Sequence, residues 1–115
     1  MSLDIPTGIL ELYDDTIDDM INNEYGLPLF IDLWAEWCMP CRKVAPIVKE
    51  LEEDYRGKML FAKLDIDNNQ KTAGKYRVSS IPMFLIFKDG KLADSSVGAT
   101  GKDKFVKRIG KVLED

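Results

Sequence analysis

The chain has 115 residues, with 16 lysines and arginines against 20 aspartates and glutamates, a net charge of −4 and no histidine. This length fits one domain, and the acidic balance disfavours nucleic-acid binding, which depends on clustered cations. The absence of histidine excludes Ser-His-Asp and Cys-His catalysis and every histidine-ligated metal site. No apolar run approaches the roughly 20 residues that a membrane span requires.

The N-terminal third predicts a short strand, a short helix and a buried strand. After a loose segment over residues 1–8, residues 9–13 are compatible with an edge strand. Capping groups before the next helix are expected from Asp14, Asp15 and Thr16, and that helix ends near residue 23. Residues 29–34 are apolar on both alternating faces except at Asp32, as in a strand covered by helices.

The rest of the chain continues the alternation and ends in a hairpin and a helix. The predicted elements are a helix over 41–55, a strand over 59–66, a helix over 68–76, strands over 83–87 and 92–97, and a C-terminal helix. Pro46 is expected to kink its helix without ending it, and Lys63 is the one charge inside its strand. We therefore expect a single α/β domain over residues 9–115, with helices on both faces of a mixed sheet.

The two cysteines, Cys38 and Cys41, open the longest predicted helix in the sequence Trp-Cys-Met-Pro-Cys. One helical turn brings their Cα atoms within disulfide range. Cys38 lies at the helix N-terminus, where backbone N–H groups and the helix dipole favour a thiolate, so we expect it to be the nucleophile. Cys41, expected to be more buried, would resolve a mixed disulfide. Pro40 lies in the first turn, where its missing N–H costs little.

Three other roles for the cysteine pair are open. A structural zinc site would need two further ligands, which the pair alone does not supply. Two buried core thiols are the second alternative, since free cysteine is often buried. A structural disulfide is the third, although so small a loop would add little stability. Redox chemistry explains the helix-opening position best.

The segment from Asp32 to Arg42, the pair Ile81-Pro82 and the triplet Val97-Gly98-Ala99 resemble the thioredoxin family. The similarity extends in order from about residue 9 to residue 113. It implies a thioredoxin fold, with a five-stranded mixed central sheet flanked by four helices. It also implies reversible thiol–disulfide exchange on protein substrates through Cys38 and Cys41, so we expect an enzyme that acts on protein disulfides.

Asp32 and Lys63 are predicted to support the exchange reaction. Burial in an apolar strand should raise the pKa of Asp32, which could then accept the Cys41 thiol proton as a general base. The resemblance places Lys63 on the neighbouring strand, where a pair with Asp32 would offset the cost of burial. The alternative is that both side chains point to an exposed edge of the sheet.

The resemblance also implies a substrate groove around a cis Ile81–Pro82 bond that faces the cysteines. Ile81 would pair through its backbone with an extended substrate segment. The remaining predicted groove residues are Trp37, Met39, Pro40, Ile66, Val97, Gly98 and Ala99. Without the resemblance, ordinary core packing would explain most of these positions. Trp34 is expected to be a core aromatic that supports the site.

The two residues between the cysteines bear on the choice of protein partner and on whether the protein reduces or oxidises its substrates. Met39 stands where the family usually has glycine, so its flexible side chain should change partner choice. Oxidising relatives often carry histidine at the second position, where this chain has Pro40, so we expect reduction to be the direction of work. A disulfide oxidant or isomerase, or a non-catalytic binding module, is the alternative function.

The chain has no G-x-G-x-x-G or G-x-x-x-x-G-K motif, so electrons are expected from a separate donor of the thioredoxin-reductase type. No metal or cofactor is expected, and neither is a nucleic-acid or membrane partner. The first residues lack the basic and apolar regions of a secretory signal, which predicts a cytoplasmic protein. A monomer is expected.

Overall fold

The computed structural model describes residues 4–114 and has the element order that the periodicity predicts. The strands are β1 (Ile9–Glu11), β2 (Leu29–Trp34), β3 (Leu60–Asp65), β4 (Met83–Lys88) and β5 (Lys91–Val97). The helices are α1 (Ile17–Ile21), α2 (Met39–Asp54), α3 (Gln70–Lys75) and α4 (Lys102–Glu114). The predicted α/β fold with five strands and four helices is therefore confirmed. Residues 1–3 and 115 of the predicted ranges lie outside the described residues.

The strands form one mixed sheet in the order β1-β3-β2-β4-β5, with β1 at an edge as predicted. The central strand β2 runs parallel to β3 and antiparallel to β4. Each strand around the centre is apolar because helices cover both faces of the sheet. Asp32 is paired in register with Lys63 on one side and with Phe84 on the other, so it lies at the middle of the sheet.

Two hydrophobic clusters cover the two faces of the sheet. On one face, α1 contributes Ile17 and Ile21 to a cluster with alternate residues of β2 and β3. On the other face, apolar residues of α2 and α4 surround a group of four aromatic rings formed by Phe30, Phe61, Phe84 and Phe105. Helices α2 and α4 therefore pack side by side on the same face of the sheet.

Helix α2 positions the cysteines at the end of the central strand. Only four residues separate Trp34, the last residue of β2, from Met39, the first residue of α2. The helix runs through Pro46 without interruption and ends at Asp54, and the turn that follows contains Gly57, whose φ of 85° is suited to glycine. The cysteine pair therefore lies on a rigid element that is anchored by a buried strand.

The predicted capping of α1 by its preceding acidic residues is wrong in detail. Thr16 is the N-cap residue but makes no side-chain capping bond. The Asp14 carboxylate instead accepts hydrogen bonds from the backbone N–H (2.9 Å) and the hydroxyl (2.7 Å) of Thr72 in α3. Asp14 therefore connects the segment before α1 to the first turn of α3, because the fold brings these distant segments together.

Residues 4–8 contain neither helix nor strand. Gly8 nevertheless donates its backbone N–H to the buried carboxylate of Glu52 on α2 over 2.9 Å. Glu52 also accepts two hydrogen bonds from the Arg56 guanidinium. Within residues 4–114, no helix is both long and apolar enough to cross a membrane.

Candidate active site

Cys38 and Cys41 are joined by a disulfide, with their Cα atoms 5.3 Å apart. Cys38 is the N-cap of α2, and its Sγ accepts a hydrogen bond of 3.2 Å from the backbone N–H of Cys41. Each cysteine is 3% exposed, so the expectation that Cys41 is the more buried of the two is wrong. The difference between them lies in their surroundings, because Cys38 alone occupies the N-cap.

The position of Cys38 favours negative charge on its sulfur. The first backbone N–H groups of a helix lack partners within the helix and form the positive end of its dipole. One of these groups, that of Cys41, already points at the Cys38 sulfur. The same sulfur lies 3.8 Å from the carbonyl oxygen of Ile81, which belongs to the loop before β4. Cys38 therefore lies between an anion-stabilising helix end and the loop that leads into β4.

Asp32 is a buried carboxylate without a hydrogen-bond partner for one of its oxygens. The residue is 7% exposed, and its Oδ1 contacts no donor among the described residues. Burial raises the pKa of Asp32 from its usual 3.8 to about 7, and the positive charge of Lys63 opposes part of that rise. The carboxyl group can therefore exchange a proton near neutral pH, as the sequence predicted.

A small cavity connects Asp32 to Cys41. Its volume is about 100 Å³, and it is lined by Asp32, Trp34, Cys41, Arg42, Ala45 and Lys63. Cys38 is not among these residues. The Nε1 of Trp34 is a second buried polar atom without a partner among the described residues. The cavity therefore gives the buried carboxylate access to the second cysteine of the pair.

Lys63 lies beside Asp32 but does not form an ion pair with it. The two residues are aligned in register on β3 and β2, as the resemblance implies. The ammonium of Lys63 instead stands 5.0 Å from the centre of the Trp34 ring. No ion pair within 4 Å joins Lys63 to Asp32 in residues 4–114. Lys63 consequently offsets the burial of Asp32 through its field rather than by direct contact.

The loop before β4 and the residue after β5 form the opposite wall of the site. The Ile81–Pro82 peptide bond is cis, as the resemblance implies. The carbonyl oxygen of buried Pro82 accepts a 2.8 Å hydrogen bond from the N–H of Gly98, whose φ is 100°. A side chain at position 98 would be strained in this conformation. Gly98 is therefore attached to the same loop that approaches Cys38.

The most exposed large apolar side chains of the described residues include three predicted groove residues. Trp37, Met39 and Val97 are 67%, 64% and 57% exposed, respectively. Trp37 is held by a 2.8 Å hydrogen bond from its Nε1 to the carboxylate of Asp67. Exposed apolar groups flanking a reactive pair are suited to contact with another protein.

Only some of the predicted groove residues lie together in one depression of the surface. A hollow of about 450 Å³ is lined by Trp37, Ile66, Val78, Ser79, Ser80 and Ile81. Met39, Pro40, Val97, Gly98 and Ala99 lie outside this hollow, although Pro40 and Ala99 are exposed. The sequence analysis missed residues 78–80 and Asp67. The only local signal was their closeness along the chain to Pro82 and Ile66.

The structure brings no metal site to this region. Within residues 4–114, no group of three or more His, Cys, Asp and Glu side chains could hold a metal ion.

Comparison with known proteins decides the family. The family model for thioredoxin matches residues 8–111. The chain belongs to the thioredoxin family. Thioredoxins of Staphylococcus saprophyticus and Staphylococcus aureus are each 42% identical to it over 106 residues, which cover 92% of this chain and 99% of theirs. With its C-x-x-C pair, this member of the thioredoxin family is a thiol–disulfide oxidoreductase that reduces protein disulfides.

Proposed function

We propose that Cys38 is the nucleophile of the exchange reaction. The Cys38 thiolate attacks one sulfur of a substrate disulfide, the substrate S–S bond breaks, and the departing sulfur leaves as a thiolate that takes up a proton. The product is a mixed disulfide between Cys38 and the substrate. The position of Cys38 at the N-cap of α2, with the Cys41 N–H directed at its sulfur, supports this assignment.

Cys41 and Asp32 carry out the second half of the reaction. The Cys41 thiol gives its proton to the Asp32 carboxylate, and the resulting thiolate attacks the Cys38 sulfur. The mixed disulfide breaks, the second substrate thiolate leaves, and the Cys38–Cys41 disulfide forms. The substrate has then gained two electrons. The cavity shared by Asp32 and Cys41 supports this role for Asp32, and Lys63 tunes the pKa of the carboxyl group.

The substrate is a folded or partly folded protein that presents a cystine beside Cys38. Its backbone pairs with that of Ile81 next to cis Pro82, and its apolar side chains contact Trp37, Met39 and Val97. Pro40, Ile66, Gly98 and Ala99 complete the contact surface. The exposure of the three large apolar side chains around the cysteines supports this assignment.

The cellular role proposed is that of a cytoplasmic, monomeric reductase. A separate protein of the thioredoxin-reductase type restores the dithiol, because the chain has no nucleotide-binding motif of its own. We further propose a single domain that begins at about residue 9.

The observation that carries the proposal is the asymmetric placement of the two cysteines, with Cys38 at the helix end and Cys41 on the Asp32 cavity. The test is to trap a mixed disulfide. The Cys41→Ser variant is first reduced and then mixed with a disulfide-containing protein such as insulin. It is expected to accumulate a covalent adduct with that protein through Cys38. Mass spectrometry with and without reductant identifies that adduct. Cys38→Ser is the matched control, and an adduct that forms through Cys41 at a comparable rate would refute the assignment.

A second measurement tests the general base. Asp32→Asn is expected to slow the release of substrate from a preformed mixed disulfide at neutral pH by at least about tenfold. This is a conservative threshold, because general-base catalysis typically contributes about 100-fold or more. In the parent protein this rate should rise with pH through about 7, the pKa of Asp32. Release at the parent rate across this pH range would show that another group accepts the proton.

A further inference from the structure

The face formed by α4 and β5 is cationic in a chain whose net charge is −4. We define this cationic face by Lys91, Lys104, Lys107, Arg108 and Lys111, all of which are exposed. Between them, two adjoining surface depressions of about 570 and 550 Å³ include all five residues in their lining. Lys88 also lines the second depression, but its ammonium donates a hydrogen bond to the carbonyl oxygen of Val112. Asp89, Asp94 and Glu114 are the acidic residues that also line the two depressions.

The cations of this face are largely unpaired. Arg108 bonds to the carboxylate of Asp94 at 2.9 and 3.0 Å. Lys91, Lys104, Lys107 and Lys111 form no ion pair within 4 Å among residues 4–114. Four ammonium groups therefore remain available to another molecule.

Helix stability explains only part of the arrangement, namely Lys107, which lies four residues after Asp103, and Lys111, which lies in the last turn, where the helix dipole favours a positive charge. Positions 104, 107, 108 and 111 are three or four residues apart, so their like charges are neighbours on one side of α4 and destabilise it. Lys104 also lies in the first turn, where the helix dipole disfavours a positive charge. The exposed side of α2, in contrast, mixes Lys49 and Glu53. The cluster of one sign on α4 is therefore better explained by a contact outside the chain.

The cationic face is connected to the active site by β5. Asp94, the partner of Arg108, is three residues before Val97, which corresponds to about 10 Å along a strand. Gly98, the next residue, bonds to Pro82 beside Cys38. Lys91, at the start of β5, lies six residues or about 20 Å before Val97, so a polypeptide whose cystine lies at Cys38 needs a further extended segment of about three to six residues to reach across the cationic face.

We propose that the cationic face binds an acidic segment of the protein substrate while the substrate's disulfide reacts at Cys38. This inference rests on the proposed function and names a class of preferred substrates, namely proteins with clustered aspartates or glutamates near the reducible cystine. Carboxylates complement the unpaired ammonium groups, and opposite charges accelerate encounter. Nucleic acid is a poorer match, because the protein substrate is already held at Cys38 and needs only a few further opposite charges, whereas a nucleic-acid chain would have to be held by this face alone.

The test compares two synthetic peptides with the same disulfide loop, one with a hexaglutamate tail and one with a Gly-Ser tail of equal length. The parent protein is expected to reduce the acidic peptide with a kcat/KM about fivefold higher at low salt, and added salt should remove the preference. The double variant Lys104→Glu, Lys107→Glu should lose that preference and reduce the Gly-Ser peptide at the parent rate.

The matched control is Lys58→Glu, Lys71→Glu, which changes the net charge equally at exposed positions outside the cationic face. It should keep at least half of the preference for the acidic peptide. An equal loss in both double variants would show that overall charge alone is responsible and would overturn the proposal. Equal rates on the two peptides in the parent protein would overturn it as well.

Three further measurements separate this proposal from other causes. Binding of the acidic peptide to the oxidised protein, followed by fluorescence anisotropy, does not depend on turnover, so it remains informative even if the proposed function fails. Tighter, face-dependent binding of a DNA duplex or of anionic phospholipid vesicles would overturn the acidic-protein assignment. The single variant Lys104→Glu should raise the unfolding temperature, and a lower temperature would show that Lys104 is structural.

Discussion

Replacement of Asp32 by asparagine is expected to stabilise the oxidised protein, and increasingly so as the pH rises. The carboxyl group is 7% exposed, its Oδ1 has no partner among the described residues, and its pKa is raised from 3.8 to about 7. Asparagine has nearly the same shape but no charge to bury. The substitution therefore removes the cost of ionising a buried group.

The size of the effect follows from proton linkage. Between about pH 4 and pH 7 the native state retains the Asp32 proton while the unfolded state has lost it, so the free energy of unfolding falls as the pH rises. Each tenfold change in the acidity constant corresponds to about 1.4 kcal/mol. The stability gap between Asp32→Asn and the parent should thus be about 2 kcal/mol at pH 5 and about 4 kcal/mol at pH 8.

Urea unfolding of the two oxidised proteins at several pH values between 5 and 8 measures this gap. The chain has no histidine, and the disulfide removes both thiols, so few other groups titrate in this range. Asp19→Asn, at an exposed carboxylate on α1, is the matched control for net charge. The reasoning would be refuted if the free energies of unfolding of Asp32→Asn and the parent changed with pH in parallel. It would also be refuted if the stability difference between Asp19→Asn and the parent grew with pH as much as that of Asp32→Asn.

Three further substitutions test the backbone conformation at two glycines and the hydrogen bonds of Glu52 on α2. Gly98→Ala should lower the free energy of unfolding by about 1–3 kcal/mol, because residue 98 has a positive φ. Gly110→Ala, in open space on α4, should raise it by up to about 1 kcal/mol. Urea unfolding measures both changes, and an unchanged stability in Gly98→Ala would contradict the expected backbone strain. Glu52→Gln should cost about 1–2 kcal/mol at neutral pH, because it weakens the bonds to Arg56. Those bonds lower the pKa of Glu52, so this loss should shrink as the pH falls below 4.5, and a loss independent of pH would show that the carboxylate charge is not responsible.

Local sequence patterns were enough to predict the order of the helices and strands and the redox role of the cysteine pair. The spacing of Cys38 and Cys41 at the start of an amphipathic helix, and the single acid within an apolar strand, are visible in short windows. Helix and strand periodicities depend on residues two to four positions apart, so the sequence alone can specify them. The cis bond before Pro82 and the alignment of Lys63 with Asp32 came instead from the family resemblance, since no local pattern requires either.

Only the tertiary structure decided which distant side chains meet. It placed Asp32 on the cavity of Cys41, aimed Lys63 at Trp34 instead of at the carboxylate, and showed equal exposure of the two cysteines. The bond between Trp37 and Asp67 spans 30 residues, and the bonds of Asp14 to α3 span nearly twice that distance along the chain. Such contacts depend on strand register, on helix orientation and on which rotamer fits the packed neighbours, and none of these is encoded within one short segment.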